Sequence, residues 1–122
     1  MVVSPDTSDP ALIEAAVPGI RLTYARNCKE AISMVRSGLC GAVLCDKTLP
    51  DGHWNDLLFH IRVLPHAPPV VVMSQSADES MWAEVLSQGA FDLVSKPLDG
   101  REVRRALSIA REIHTRIQLT TA

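Results

Sequence analysis

Several things are scarce in this 122-residue chain, and each scarcity closes off a class of function. There is no excess of charge of one sign: the formal net charge is −2, so nothing points to a nucleic-acid or membrane surface. No apolar run approaches the about 20 residues needed to cross a bilayer. No basic segment leads into an apolar core near Met1, so no signal peptide is read and the expected location is the cytoplasm. Cysteine is limited to Cys28, Cys40 and Cys45, an odd number without CxxC or zinc-ligand spacing. Cysteines set in or beside an apolar run, as Cys40 and Cys45 are, serve as small hydrophobes. His53, His60, His66 and His114 lack HExxH or any paired ligand spacing. Internal repeats, low-complexity tracts and linkers are likewise missing, apart from the polar end Thr120-Thr121-Ala122.

What is present is an ordinary globular balance, 47% hydrophobic and 21% charged, at the size of one domain. Residues 1–119 are expected to form that domain, with 120–122 as a tail or the start of a linker. The chain is organised around Gly41-Ala42-Val43-Leu44-Cys45-Asp46, an unbroken small and apolar run ending in one carboxylate, followed by Leu49-Pro50-Asp51-Gly52. Such a run suits a strand buried on both faces, with Asp46 at its carboxyl end.

The rest alternates in kind. Met1-Val2-Val3 makes a short first strand, and Asp9-Pro10 opens a two-turn helix that Pro18-Gly19 ends. Ile20 to Ala25 alternates as a strand near the sheet edge. Asn27 and Glu30 have capping-box spacing for a helix to about Ser37, with Ala31, Ile32, Met34 and Val35 as its apolar set. A helix over roughly Trp54 to Leu64 presents Leu57, Leu58 and Ile61 to the core, and Pro65 to Pro69 is loop. Val70 to Ser74 is the clearest strand. Ser76 to Glu79 reads as a capping box for a helix closed by Gly89. Phe91 to Ser95 is the last strand. Asp99 to Glu102 is a third box, opening a long helix with Val103, Ala106, Leu107, Ala110, Ile113 and Ile117 on one stripe. Trp54 and Trp82 fall on helices and are read as packed, and Asp51 as a turn residue.

Five β-α repeats with short connections predict a three-layer α/β/α fold. In an open sheet of this kind, ligands bind at the carboxyl ends of the strands. Asp6, Asp46, Ser74 and Lys96 all follow strands. Singly, each is ordinary turn chemistry. Together, a carboxylate, a hydroxyl and an ammonium at one edge are the parts of a phosphoryl-transfer site: a nucleophile and two groups that bind phosphoryl oxygens.

At these residues the chain resembles the receiver domains of two-component response regulators. The likeness covers nearly all of it. Its most specific parts are the strand ending in Asp46 with the following LPDG, the VVVMS strand ending in Ser74, and Gly89-Ala90 leading to Lys96-Pro97. The 22-residue step from Ser74 to Lys96, and Glu30-Ala31 about 15 residues before Asp46, fit as well. The resemblance implies a flavodoxin-like fold with a five-stranded parallel sheet of order 2-1-3-4-5, an order already known for such receivers. It implies that Asp46 is the phosphoacceptor, that Ser74 and Lys96 bind the phosphoryl group, and that the Lys96-Pro97 bond is cis. Mg²⁺ would be held by Asp6, Asp46 and the backbone carbonyl of Thr48. The implied partners are a sensor histidine kinase or phosphotransfer protein and an attached or separate output domain, with no direct nucleic-acid binding and no membrane. A homodimer through the last helix is a family option that its apolar stripe, equally explained as core, leaves open.

Two departures stand out. Where the family has two adjacent acidic residues after the first strand, this chain has Ser4-Pro5, with Asp6 one place later, so cation affinity should fall. Three residues before the lysine, where an aromatic is common, it has Leu93, and Phe91 has the wrong position to substitute. The competing reading is a receiver-like interaction module that is not efficiently phosphorylated. A flavin- or nucleotide-binding enzyme is disfavoured because no Gly-rich phosphate loop follows the first strand.

Overall fold

The computed structural model describes residues 1–5, 9–38 and 40–121, with the backbone alone for residue 9 and residues 117–121. The main sheet consists of β1 (Val2–Val3), β2 (Tyr24–Ala25), β3 (Val43–Asp46), β6 (Val70–Ser74) and β7 (Asp92–Ser95), in the order β2-β1-β3-β6-β7. All four pairings are parallel. Counting the strands of this sheet alone, that is the expected order 2-1-3-4-5. Between β3 and β6 the chain adds a small antiparallel hairpin, β4 (Thr48–Leu49) and β5 (Gly52–His53), which the sequence reading took only as a turn.

Five helices cover the sheet: α1 (Asp9–Ala16), α2 (Cys28–Arg36), α3 (Trp54–Arg62), α4 (Glu79–Ser87) and α5 (Gly100–Thr121). The unalternated apolar strands now have their reason. Val43, Cys45, Val70 and Val72 join the core under α2, α3 and α4, while Leu44, Val71 and Met73 join the one under α1 and α5. Successive side chains of a strand point to opposite faces, so a strand covered on both sides must be apolar throughout.

Two of the strands are clearly shorter than their patterns. The expected strand over 20–25 contracts to Tyr24–Ala25, and β3 starts at Val43 rather than Gly41. β2 is the sheet edge and has one strand neighbour, so its alternation is not extended by pairing on a second side. Its exposed Tyr24 donates a hydrogen bond to Glu14 of α1. Partial burial and that carboxylate push the phenol up to about 12.

Caps were legible where they are local. Asn27 Oδ1 accepts from Glu30 N at 2.8 Å, as its spacing predicted. The box at Ser76 is a correction: the cap of α4 is Asp78, whose Oδ1 accepts from Met81 N at 2.8 Å. At α5, Asp99 accepts from Arg101 N at 2.8 Å, but Glu102 turns to the Ser95 amide on β7, 3.3 Å away. The stripe of α5 also needs correcting. Val103, Ala106, Leu107 and Ala110 are buried, Ile113 is 37% exposed, and the buried position one step on is His114. A straight helix advances 3.6 residues per turn, so 103, 107, 110 and 114 share a face while 113 drifts off it. Ile117 lies outside the described side chains. Trp54 is packed as expected, but Trp82 is 52% exposed.

Candidate phosphoacceptor site

The site is set by where three strands end. Asp46 closes β3, and its register partner on β6 is Met73, one residue before Ser74. Lys47 N donates to Met73 O at 2.9 Å, and Lys96 N to Ser74 O at 2.9 Å. These two backbone bonds hold Asp46, Ser74 and Lys96 at one edge of the sheet. From the hairpin side, Trp54 N donates to Lys47 O at 3.0 Å, fixing the loop after Asp46.

Asp46 as a residue is 9% exposed, and both its carboxylate oxygens are engaged. Lys96 Nζ is 2.6 Å from Oδ1, each side chain being 12% exposed. Ser4 Oγ donates to Oδ2 at 2.5 Å. Charge-assisted hydrogen bonds of this kind are short and about twice as strong as neutral ones. Ser74 is buried, and its Oγ accepts from Ser76 N at 3.1 Å and lies 3.3 Å from Ser76 Oγ. Asp46, Thr48, Ser74, Ser76 and Lys96 line an open cleft of about 300 Å³, large enough for a phosphoryl group.

Of the expected site residues, Asp46, Ser74, Lys96 and Thr48 thus come together, and the Lys96–Pro97 peptide is cis. Asp6 lies outside the described residues. Ser4, expected only as a place where acidity is lost, proves to touch the Asp46 carboxylate directly. A hydroxyl directly after a strand gives no local signal of such a contact, because the partner is 42 residues away.

Asp51 was also under-read. Its two oxygens accept from Cys28 N at 2.7 Å and Lys29 N at 3.1 Å, capping α2 from 23 residues away. These amides hold the Asp51 carboxyl below its ordinary value. Next to the site, burial pushes the Cys28 thiol up to about 11 and the Cys45 thiol up as well. Neither is a thiolate near neutral pH, consistent with apolar filling.

A model of the response regulator receiver domain matches residues 11–108. The chain belongs to the response regulator receiver domain family. It is a receiver domain of the two-component type. The family match begins after β1 and the Ser4-Pro5 segment. Among curated proteins, the receiver is 30% identical over 119 residues to the transcriptional regulatory protein ZraR of Klebsiella oxytoca, covering 96% of this chain and 27% of that protein. It therefore spans about a quarter of the length of the ZraR proteins it matches. Among solved structures, the signal receiver domain of a LuxO repressor protein from Vibrio parahaemolyticus superimposes with a TM-score of 0.89 at 17% identity, covering 99% of this chain and 95% of that one. The receiver domain of the Francisella response regulator 1452 gives 0.81 at 23%, covering 91% and 93%. These likenesses agree on the fold.

Receiver domains typically bind Mg²⁺. Of the ligands expected for it, Asp46 and Thr48 line the cleft, and Asp6 lies outside the described residues. Around Asp46 the Lys96 ammonium lies at Oδ1, the Ser4 hydroxyl donates to Oδ2, and the Thr48 segment borders the same cleft. Hard cations are selected by oxygen count and anionic charge, and Asp46 is the carboxylate the described residues supply at the cleft.

Proposed function

We propose that this receiver accepts a phosphoryl group on Asp46 from a sensor histidine kinase or a phosphotransfer protein. The observation that carries the reading is the convergence of Asp46, Ser74 and Lys96 on one cleft, with Lys96 Nζ 2.6 Å from the nucleophile. An Asp46 oxygen forms the new P–O bond. The P–N bond of the donor phosphohistidine breaks, and its electron pair stays on the imidazole nitrogen, which takes up a proton. Lys96 offsets the charge of the transferring group, and the Ser74 hydroxyl is within reach to bind a phosphoryl oxygen after leaving the Ser76 amide. That exchange links phosphorylation to the loop opening α4, a local switch that a partner or output domain reads.

The domain is taken to span 1–119, with 120–122 continuing as a tail or linker. An output domain, attached or separate, accords with relatives whose names describe transcriptional regulators and whose length is about four times that of this chain. Among the described residues no helix is long and apolar enough to cross a membrane, and we place the domain's work in the cytoplasm.

One observation favours a second reading, an interaction module that is poorly phosphorylated: both Asp46 oxygens already have protein partners. Mass spectrometry after incubation with acetyl phosphate separates the two. A gain of one phosphoryl group, absent from Asp46→Asn, supports the phosphoacceptor. No gain from acetyl phosphate or a phosphorylated donor supports the module.

A further inference from the structure

We infer that a separate phosphate-binding site lies at the edge of the sheet opposite Asp46, where Arg21 and Arg111 line one cleft and together take the phosphoryl group of a small molecule. The inference is independent of the reading of Asp46 as phosphoacceptor.

The cleft, of about 400 Å³, is built from three parts of the chain. Arg21 comes from the segment before β2, Cys40 and Gly41 from the connection into β3, and Arg111, His114 and Thr115 from α5. Asp46 closes β3 at its other end, so the two sites lie at opposite edges. Arg21 and Arg111 also line an adjoining recess of about 120 Å³, whose floor includes Leu44 and Leu107. The stem of Arg111 lies over Gly41: a Cβ there would come 3.8 Å from its Cγ. Neither guanidinium is committed elsewhere, for no ion pair or side-chain hydrogen bond of the described residues uses Arg21 or Arg111. By contrast, Arg62 donates to Gln88 O, Arg104 to Ala16 O and Arg116 to Glu112.

None of the described residues lining the cleft is acidic. Leu39 and Ile117 to Ala122, the nearest in sequence whose side chains lie outside the described set, include no Asp or Glu. Two like charges on one concave surface focus a positive potential there. With a formal net charge of −2, the chain as a whole has no such bias. A guanidinium presents a planar fork of donors that matches phosphoryl oxygens in pairs, and it sheds water more readily than an ammonium. His114, buried beside the pair, can add one ring N–H. The Thr115 hydroxyl is already used, donating to Arg111 O at 2.9 Å. The cleft is within the usual range of small-molecule pockets, about 300–1,000 Å³.

The test is a titration of the ¹⁵N-labelled chain with inorganic phosphate and, separately, with phenyl phosphate, at constant ionic strength, following the amides of Arg21, Gly41, Arg111 and Thr115. Both probes are expected to give saturable shifts at these amides with a Kd of about 1 mM, a strength that two charge-assisted contacts supply. Tighter binding of phenyl phosphate assigns the site to phosphate esters, and equal binding assigns it to free phosphate. Arg21→Gln and Arg111→Gln are each expected to weaken binding at least about tenfold. Arg105→Gln, an equal loss of charge at an exposed position on the same helix, is expected to leave it unchanged. Both arginines of the cleft are exposed, so the variants should keep the native urea midpoint, and either one decides the matter should the other fail to fold. No saturable shift with either probe up to about 10 mM, ten times the expected Kd, overturns the inference. So does equal weakening in all three variants, which is a general charge effect, and so do shifts confined to Asp46 and Ser74, which belong to the other edge. No phosphodonor enters the titration, so its failure leaves the phosphoacceptor reading standing.

Discussion

Lys96 Nζ stands 2.6 Å from Asp46 Oδ1, and the two side chains meet across β6 from the ends of β3 and β7. A pair so little exposed is worth more when broken than when counted, because removing one partner strands the other charge. Lys96→Met is expected to lower stability by about 1–3 kcal/mol, less than the about 3–5 kcal/mol of a fully buried pair because solvent still reaches the site. Adding Asp46→Asn should recover part of the loss. Urea midpoints of the two variants and their combination check this, and an unchanged midpoint in Lys96→Met would mean the pair is effectively solvent-screened.

Asp51 and the first amides of α2 make a second long-range bond. The folded carboxyl is held below its unfolded value of 3.8 by the amides of Cys28 and Lys29. A group depressed in the fold contributes stability above its unfolded pKa and loses that contribution as pH falls through the folded value. Asp51→Ala should therefore melt lower than the native chain at pH 7, and the gap should close as acid protonates the native Asp51. Equal melting temperatures at pH 7 would dismiss Asp51 as a cap.

His114 carries the opposite charge logic. Burial, then the neighbouring His66, holds its imidazole below the ordinary 6.5, so the fold prefers it neutral. Such a base costs nothing above the unfolded pKa. Its penalty appears as pH falls through about 6.5 and is complete below the folded value. Between pH 7 and pH 5 the native chain should lose more stability than His114→Leu. Parallel pH–stability curves would count against the assignment.

Gly89 ends α4 at φ +100°, where a Cβ would also come within 3.2 Å of the Arg62 guanidinium. That guanidinium donates to Gln88 O at 2.9 Å, capping α4 from α3. Gly89→Ala is expected to cost about 1–2 kcal/mol, chiefly from the left-handed backbone. Combining it with Arg62→Ala relieves the contact but leaves that backbone cost, so a double variant as stable as Arg62→Ala alone would contradict the backbone account. Thermal or chemical denaturation of the three variants supplies the comparison.

How much of this was legible in advance depends on distance along the chain. Val70 to Ser74 matched its strand residue for residue, and Asn27 was identified as a cap from a spacing of three. The small corrections share a cause. At Ser76 and Asp78 two good capping residues stand two apart, and the backbone path out of Ser74 chose between them. On α5 the difference between Ile113 and His114 is one residue in a long helix, decided by the surface it packs on.

By itself the sequence determined the alternation of strands and helices, the two-sided burial of β3 and β6, and the placement of Asp46, Ser74 and Lys96 at strand ends. Those follow from apolar periodicity, which is local. Only the tertiary structure decided that Ser4 donates to Asp46, that Asp51 caps α2, and that His114 rather than Ile113 faces inward. Each of these depends on packing between elements brought together by the fold, and contacts between residues 23 or 42 positions apart leave no period in the sequence to read.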